Sequence, residues 1–167
     1  MDVFENIRLT RLPKPTRLLV TMFLLMMALG SLLAAVNTWA GVGMNYTAIV
    51  NYILGFESYP KSYPGMDFKC LITLSHTHVI AMGLMVFCLG LVFQFTGTLP
   101  LWLKKFILAF SFISVLLVDG SFWVVKYATP MGAYLMMLSG MLFGICVFLE
   151  TATPLYEMWI KKETRAD

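Results

Sequence analysis

Four long apolar runs dominate the sequence and restrict it to a membrane protein. They cover about residues 18–39, 71–95, 106–125 and 131–149. Each holds roughly the 20 residues that a helix needs to cross about 30 Å of hydrocarbon. At 59% hydrophobic and 13% charged residues, the chain carries more apolar surface than a soluble domain of its length can bury. The sequence therefore predicts an all-α fold, an integral membrane four-helix bundle, and a single transmembrane domain over residues 1–167.

The basic residues are distributed unevenly around these runs. Nine of the 12 Lys and Arg residues lie before the first run, in the 97–105 connection or after the fourth run. The positive-inside rule then predicts a multi-pass membrane protein with both termini in the cytoplasm. Because the basic residues serve as topology signals, nucleic acid is not an expected partner. The expected partner is the lipid bilayer, which the four apolar runs cross.

The one long connection, residues 40–69, is predicted to lie on the outer face. Within 46–56, Ile49, Tyr52, Ile53 and Phe56 follow a helical spacing, which predicts a short interfacial helix covering the outer end of the bundle. These four side chains are expected to face inward. The stretch "YPKSYPG" that follows is predicted to be irregular because of its prolines and glycine.

The fourth run is followed by a proline that is predicted to stop its helix. With the helix ending near Leu149 and Pro154 preventing its continuation, Glu150 is expected at the cytoplasmic helix end. Glu157 and Trp159 are then expected just beyond it, as interfacial anchors.

Three ionisable residues lie inside the predicted spans: His76, His78 and Asp119. Ionisable groups are costly in lipid and mark functional sites by default. The directions of the runs place all three at a similar depth, in the outer third of the membrane. For Asp119 the predicted partner is either Lys126 or His76, the latter as a carboxylate that orients a ligand histidine.

The two histidines point to opposite sides of any helix that contains both. Residues two apart on an α-helix are separated by about 200°. His76 shares its face with Gly83 and Gly90, which leave room for a planar ligand, so His76 is predicted to face the bundle interior. His78 is then predicted to face the outer-loop helix, lipid or a neighbouring chain.

The segment "SHTHVIAMGLMVFCLGLVFQFTG" resembles one transmembrane helix of subunit I of the haem–copper oxidases. That helix carries an H-x-H pattern followed by Met, Gly and an aromatic tail, and its histidines bind two haems on opposite sides. The resemblance implies that His76 and His78 are haem ligands. The further histidines that the oxidases use for copper have no counterpart here, so a complete oxidase site is excluded.

The whole chain also resembles a group of small four-helix bacterial inner-membrane proteins of unassigned function. They carry a "PKS" segment before H-x-H, an Asp near a Trp in the third helix, and a "PLYEMW" end. Here these features are residues 60–62, the two histidines, Asp119 with Trp123, and residues 154–159. This resemblance implies no activity.

The leading interpretation is a haem-b-type electron-transfer protein or subunit near the outer face, with a quinone as candidate redox partner. No residue is assigned a catalytic role. A second axial ligand could come from another chain, so a homo-oligomer or a place in a larger membrane complex is expected. The predicted cofactor-binding residues are His76, His78, Asp119, Gly83, Gly90 and Trp123.

Two alternatives remain open at this point. The first is a copper or zinc site formed by His76 and His78 with Asp119 or Cys70, which requires a non-helical turn at the histidines. The second is a non-catalytic accessory subunit, in which the three ionisable residues form a hydrogen-bonded network that fixes helix packing.

Overall fold

The computed structural model describes residues 9–58 and 61–161. Arg8, Lys162 and Arg165 of the basic count, and Pro60 of the "PKS" segment, lie outside the described residues. The described elements are a 3₁₀ turn (Leu9–Arg11), α1 (Lys14–Gly41), α2 (Tyr46–Leu54), β1 (Phe56–Ser58), β2 (Lys61–Tyr63), α3 (Phe68–Phe93), α4 (Leu101–Tyr127) and α5 (Gly132–Trp159). The helices α1, α3, α4 and α5 are long and apolar enough to cross a membrane. The prediction of a helical membrane bundle is confirmed.

The centre of the bundle is the pair α4 and α5, and α3 packs against both. A Cβ on Gly132 would lie 2.8 Å from Val124 Cγ1, so this glycine lets the two helices approach closely where α5 begins. The helix α1 is peripheral. Of its 28 residues, all of them described, only Leu24 is buried, where it packs with Leu89 of α3 and Val147 of α5.

The fourth transmembrane helix is longer than predicted. α5 continues through Pro154 and ends at Trp159, so the prediction that Pro154 stops the helix is wrong. Proline removes one backbone hydrogen bond, the one that its N–H would donate to the Glu150 carbonyl. The last two turns hold because Pro154 and Met158 are buried, and Met158 packs with Leu24 in the core.

The predicted interfacial helix is present as α2. Asn45 caps it, because its side-chain oxygen accepts a hydrogen bond of 2.8 Å from the Ala48 N–H. Ile49 and Ile53 are buried against α3, α4 and α5, as predicted. Phe56 was predicted to face inward and does not, because it lies in β1 and is 37% exposed.

The segment after α2 forms a small antiparallel hairpin, which the sequence analysis missed. Phe56 of β1 pairs with Tyr63 of β2. The base of the hairpin is closed by Gly55 and Gly65, whose φ angles are 91° and 76°. A Cβ on Gly55 would lie 2.6 Å from the Tyr63 carbonyl oxygen, so only glycine fits this close approach.

Candidate functional site

The bundle has two ends that differ in chemistry. We call the end formed by α2 and the hairpin the lid side, and the end formed by residues 94–100, the start of α1 and the end of α5 the basic side. Under the predicted orientation the lid side is the outer face. α3 and α5 run from the lid side to the basic side, and α4 runs back.

His78 of α3 and Asp119 of α4 lie at similar depths near the lid side, on two helices that pack together. His78 lies ten residues after the start of α3, about 15 Å along the axis, and Asp119 lies eight residues before the end of α4, about 12 Å. Asp119 is buried and His78 half-buried. The His78 ring centroid is 6.2 Å from that of Phe122, one turn beyond Asp119, and the Asp119 carboxylate interacts electrostatically with His78.

Each member of the pair has a buried polar atom without a partner. His78 Nδ1 and Asp119 Oδ1 have no hydrogen-bond partner within the part of the chain that the structure describes. Leaving such an atom unpaired typically costs about 1–3 kcal/mol. The pair therefore contains buried polar atoms without hydrogen bonds. The accessory-subunit interpretation instead expects a hydrogen-bonded network that fixes helix packing.

Trp123 connects the two helices beside this pair. Its Nε1–H donates a 2.8 Å hydrogen bond to Ser75 Oγ. Ser75 lies one turn before His78, and Trp123 lies one turn after Asp119. Phe68 packs edge-on against the Trp123 ring, with centroids 5.9 Å apart. Trp123 thus holds α3 against α4 on the lid side of the pair.

The prediction that His76 faces the bundle interior is wrong. His76 is exposed on the outward face of α3, with Ile80 and Phe87, which are 57% and 51% exposed. A Cβ on Gly83 would meet nothing within 4 Å, so Gly83 belongs to this open face. Gly90 does not, because it is buried and a Cβ there would lie 2.8 Å from Leu108 Cδ2 of α4.

The condition for a copper or zinc site at the histidines is not met. α3 is helical from Phe68 onward, so His76 and His78 point to different sides and cannot share one ion. Among residues 9–58 and 61–161, no group of three or more His, Cys, Asp or Glu side chains could hold a metal ion.

Lys126 does not pair with Asp119 as predicted. Its ammonium group points toward the lid side and donates to the Ile53 carbonyl at 3.5 Å. This contact ties the end of α4 to the end of α2. Lys126 is therefore not the hydrogen-bond partner of Asp119.

The burial of two glutamates of α5 was not predicted, because the helix was expected to end near Leu149 and not to continue past Pro154. Glu150 is fully buried and hydrogen-bonded to Ser111 Oγ of α4. Glu157 is also buried and accepts hydrogen bonds from the turn between α3 and α4. Neither is an interfacial anchor. A spacing of seven residues puts both on one face of a continuous helix, and this is the signal that could have revealed them.

Comparison with known proteins gives one match. A family model described as a transmembrane helical domain, Aq_1264_TM, covers residues 43–165 and so includes α2 to α5. No curated protein and no solved structure matches the chain. The family description names no cofactor and no reaction, so the likeness of α3 to an oxidase helix remains a resemblance. The chain therefore belongs to this small family of transmembrane helical domains, to which no function is assigned.

Proposed function

We propose that the protein is a proton-exchanging membrane protein or subunit whose acid–base centre is the His78–Asp119 pair. The observation that carries the proposal is the presence of two buried, unpaired atoms, His78 Nδ1 and Asp119 Oδ1, on facing helices. Histidines and carboxylates inside a bundle are characteristic of proton relays. A proton on Asp119 removes a buried negative charge, and a proton on His78 Nδ1 removes an unpaired acceptor.

The two groups have different access to their surroundings. His78 is half-buried and Asp119 is buried, so the imidazole is the group through which a proton would enter or leave. Histidine is the side chain best suited to this exchange near neutral pH. A quinone takes up protons when reduced and releases them when oxidised, so it remains the candidate partner at the lid side.

The presence of only two histidines in the chain allows a direct test. In His76→Gln, ¹⁵N-histidine labelling reports His78 alone, and in His78→Gln it reports His76 alone. With the protein in lipid nanodiscs, we expect His78 to titrate reversibly and Asp119→Asn to change that titration. The His76 signal should be indifferent to Asp119→Asn, because His76 faces away from the pair.

A His78 signal that does not titrate, or whose titration is the same with and without the Asp119→Asn substitution, would overturn the proposal. It would favour the accessory-subunit interpretation, in which these residues only fix packing. Measuring both single-histidine proteins in one preparation separates this outcome from a general disturbance of the fold.

A haem b held between two copies of the chain is the second candidate. The observation that favours it is the exposed His76 on the open face at Gly83. His76 is preferred to His78 as the haem ligand because Phe122 and the Ser75–Trp123 hydrogen bond lie in the contact between α3 and α4 beside His78. Haem bound to His76 would supply electron transfer, and His76 would hold its iron.

An absorption spectrum of the purified protein tests the haem candidate. A Soret band that disappears in His76→Ala and persists in His78→Ala is the expected result for haem between two copies. A Soret band that depends on His78 would contradict this arrangement, and so would a protein without a Soret band when purified from cells supplied with haem precursors.

A further inference from the structure

A second buried acid lies in the other half of the bundle, away from the His78–Asp119 pair. Glu150 is 18 residues from the start of α5 and nine residues, about 13 Å, from its end on the basic side. Its side chain is 0% exposed. It faces α4 at Ser111, whereas Asp119 lies eight residues, about 12 Å, further along α4. Whatever Glu150 binds is therefore bound at a separate position.

The single hydroxyl hydrogen of Ser111 bears on whether Glu150 is ionised or protonated. Ser111 Oγ lies 2.7 Å from the Ile107 carbonyl oxygen and also contacts Glu150 Oε1. Both of these oxygens are acceptors when Glu150 is ionised, and a serine hydroxyl has one hydrogen to give. Both contacts become hydrogen bonds only when Glu150 is protonated, with Glu150 donating to Ser111 and Ser111 donating to Ile107.

No described group donates a hydrogen bond to Oε2, the second oxygen of the Glu150 carboxyl group. Glu150 Oε2 and Thr151 Oγ1 are buried and lack a partner among the described residues. Pro154 has no N–H to give to the Glu150 carbonyl, so this oxygen adds another acceptor. An ionised carboxylate in such surroundings costs several kcal/mol, which a bound proton removes.

Within residues 9–58 and 61–161, no basic side chain forms a hydrogen bond with the Glu150 carboxyl group. Cys146 lies one turn before Glu150 on α5, and the two side chains interact electrostatically. On α4 the facing group is the Ser111 hydroxyl. Of the basic side chains toward this end, Lys104 donates to Thr96 O at 2.8 Å and Arg17 Nη1 donates to Met158 O at 3.3 Å, while Arg17 Nε has no hydrogen-bond partner among the described residues.

We infer that Glu150 is a proton-binding site, occupied by a proton at neutral pH and held by the Ser111 hydroxyl. This site stands on its own and does not depend on proton exchange at the His78–Asp119 pair. It gives the bundle a protonatable group in the half nearer the basic side.

Infrared spectroscopy of the full chain in lipid tests the inference. We expect the carbonyl band of a protonated carboxylic acid at neutral pH, shifted by ¹³C-glutamate labelling and absent in Glu150→Gln. Ser111→Ala should retain the band at a changed frequency, because the acid keeps its proton and loses its acceptor. Glu157→Gln is the matched control on the same helix face and should leave the band unchanged.

Three results would overturn the inference. They are the absence of any carboxylic acid band, a band that ¹³C-glutamate does not shift, and a band that persists in Glu150→Gln but disappears in Asp119→Asn. The last would assign the proton to the lid-side pair. Because isotope labelling needs no substitution, the test remains decisive even if Glu150→Gln does not fold.

Discussion

Glu150 and Glu157 lie two turns apart on the same face of α5, and their surroundings are opposite. Glu157 meets donors: the backbone N–H groups of Gly97 and Thr98 and the Thr98 hydroxyl, at 2.8–3.2 Å from Oε2. Glu150 meets one hydroxyl, which already bonds to a carbonyl, and its second oxygen has no partner among the described residues. Donors stabilise a carboxylate, and acceptors stabilise a protonated acid. The comparison shows that two buried carboxyl groups of one helix differ in their hydrogen-bond partners, one among several donors and the other beside a single hydroxyl.

The turn that binds Glu157 is itself supported by charged side chains. Lys104 donates to the Gln94 and Thr96 carbonyls at 3.0 and 2.8 Å, while Glu157 accepts from the N–H groups that follow. A Cβ on Gly97 would lie 3.4 Å from Glu157 Oε1, so the glycine allows the close approach. The turn at residues 94–100 thus pairs its polar groups with Glu157 and Lys104, whereas His78 Nδ1, Asp119 Oδ1 and Glu150 Oε2 lack partners among the described residues.

Among the substitutions that test this comparison, Glu157→Gln is expected to lower the free energy of unfolding the most. The glutamine NH₂ group cannot accept from the turn, so we expect the free energy of unfolding to fall by about 2 kcal/mol, the loss typical of hydrogen bonds to a charged group. Thermal unfolding in detergent micelles measures this change. A Glu157→Gln protein as stable as the parent would contradict the role of the carboxylate.

The next effect is the loss of the hydrogen bond between Trp123 and Ser75. Trp123→Phe should lower the free energy of unfolding by about 1 kcal/mol or somewhat more, because a buried donor is removed and the Ser75 hydroxyl is left unpaired. Ser75→Ala is the matched control. If the two residues act through this bond, the double variant loses less stability than the sum of the single variants.

The His78–Asp119 pair should show a coupling of similar or smaller size. We expect the effects of His78→Gln and Asp119→Asn on stability to be non-additive by about 0.5–1 kcal/mol, as for charged neighbours in contact. A double-mutant cycle in thermal unfolding gives the coupling. Strict additivity would show that the two groups do not sense each other.

The smallest effect is expected for Glu150→Gln. The glutamine side chain matches a protonated acid in shape, and its NH₂ group can donate to Ser111, so the free energy of unfolding should change by less than about 1 kcal/mol. The same measurement made for Glu157→Gln provides the reference. A larger loss for Glu150→Gln than for Glu157→Gln would reverse the comparison.

The membrane spans and α2 could be predicted from sequence because length and hydropathy decide the former and helical spacing the latter. The inward face of α3 could not. In a membrane helix both lipid and protein interior are apolar, so hydrophobic periodicity does not distinguish them. Glycine does not mark the interior face either, because the two glycines of α3 differ: Gly83 is open, whereas Gly90 packs against Leu108.

The buried glutamates and the hairpin were missed for a common reason. Proline was expected to break regular structure at Pro154 and in the "YPKSYPG" stretch. At Pro154 the loss of one hydrogen bond is outweighed by packing of the last two turns, as the burial of Met158 shows. In the hairpin, Phe56 pairs closely with Tyr63 because Gly55 and Gly65 adopt positive φ angles. The proline content of the segment does not predict these angles.

The core beneath α2 has a consequence for the order in which the chain assembles. It combines Ile49 and Ile53 with Leu71 of α3, Phe122 of α4 and Ala133 of α5. During synthesis α2 leaves the ribosome long before Ala133 does, so its apolar face has no complete binding surface until α5 has been made. Docking of α2 is therefore a late folding event. Until then the apolar face of α2 is expected to lie on the membrane surface, as the apolar faces of amphipathic helices do.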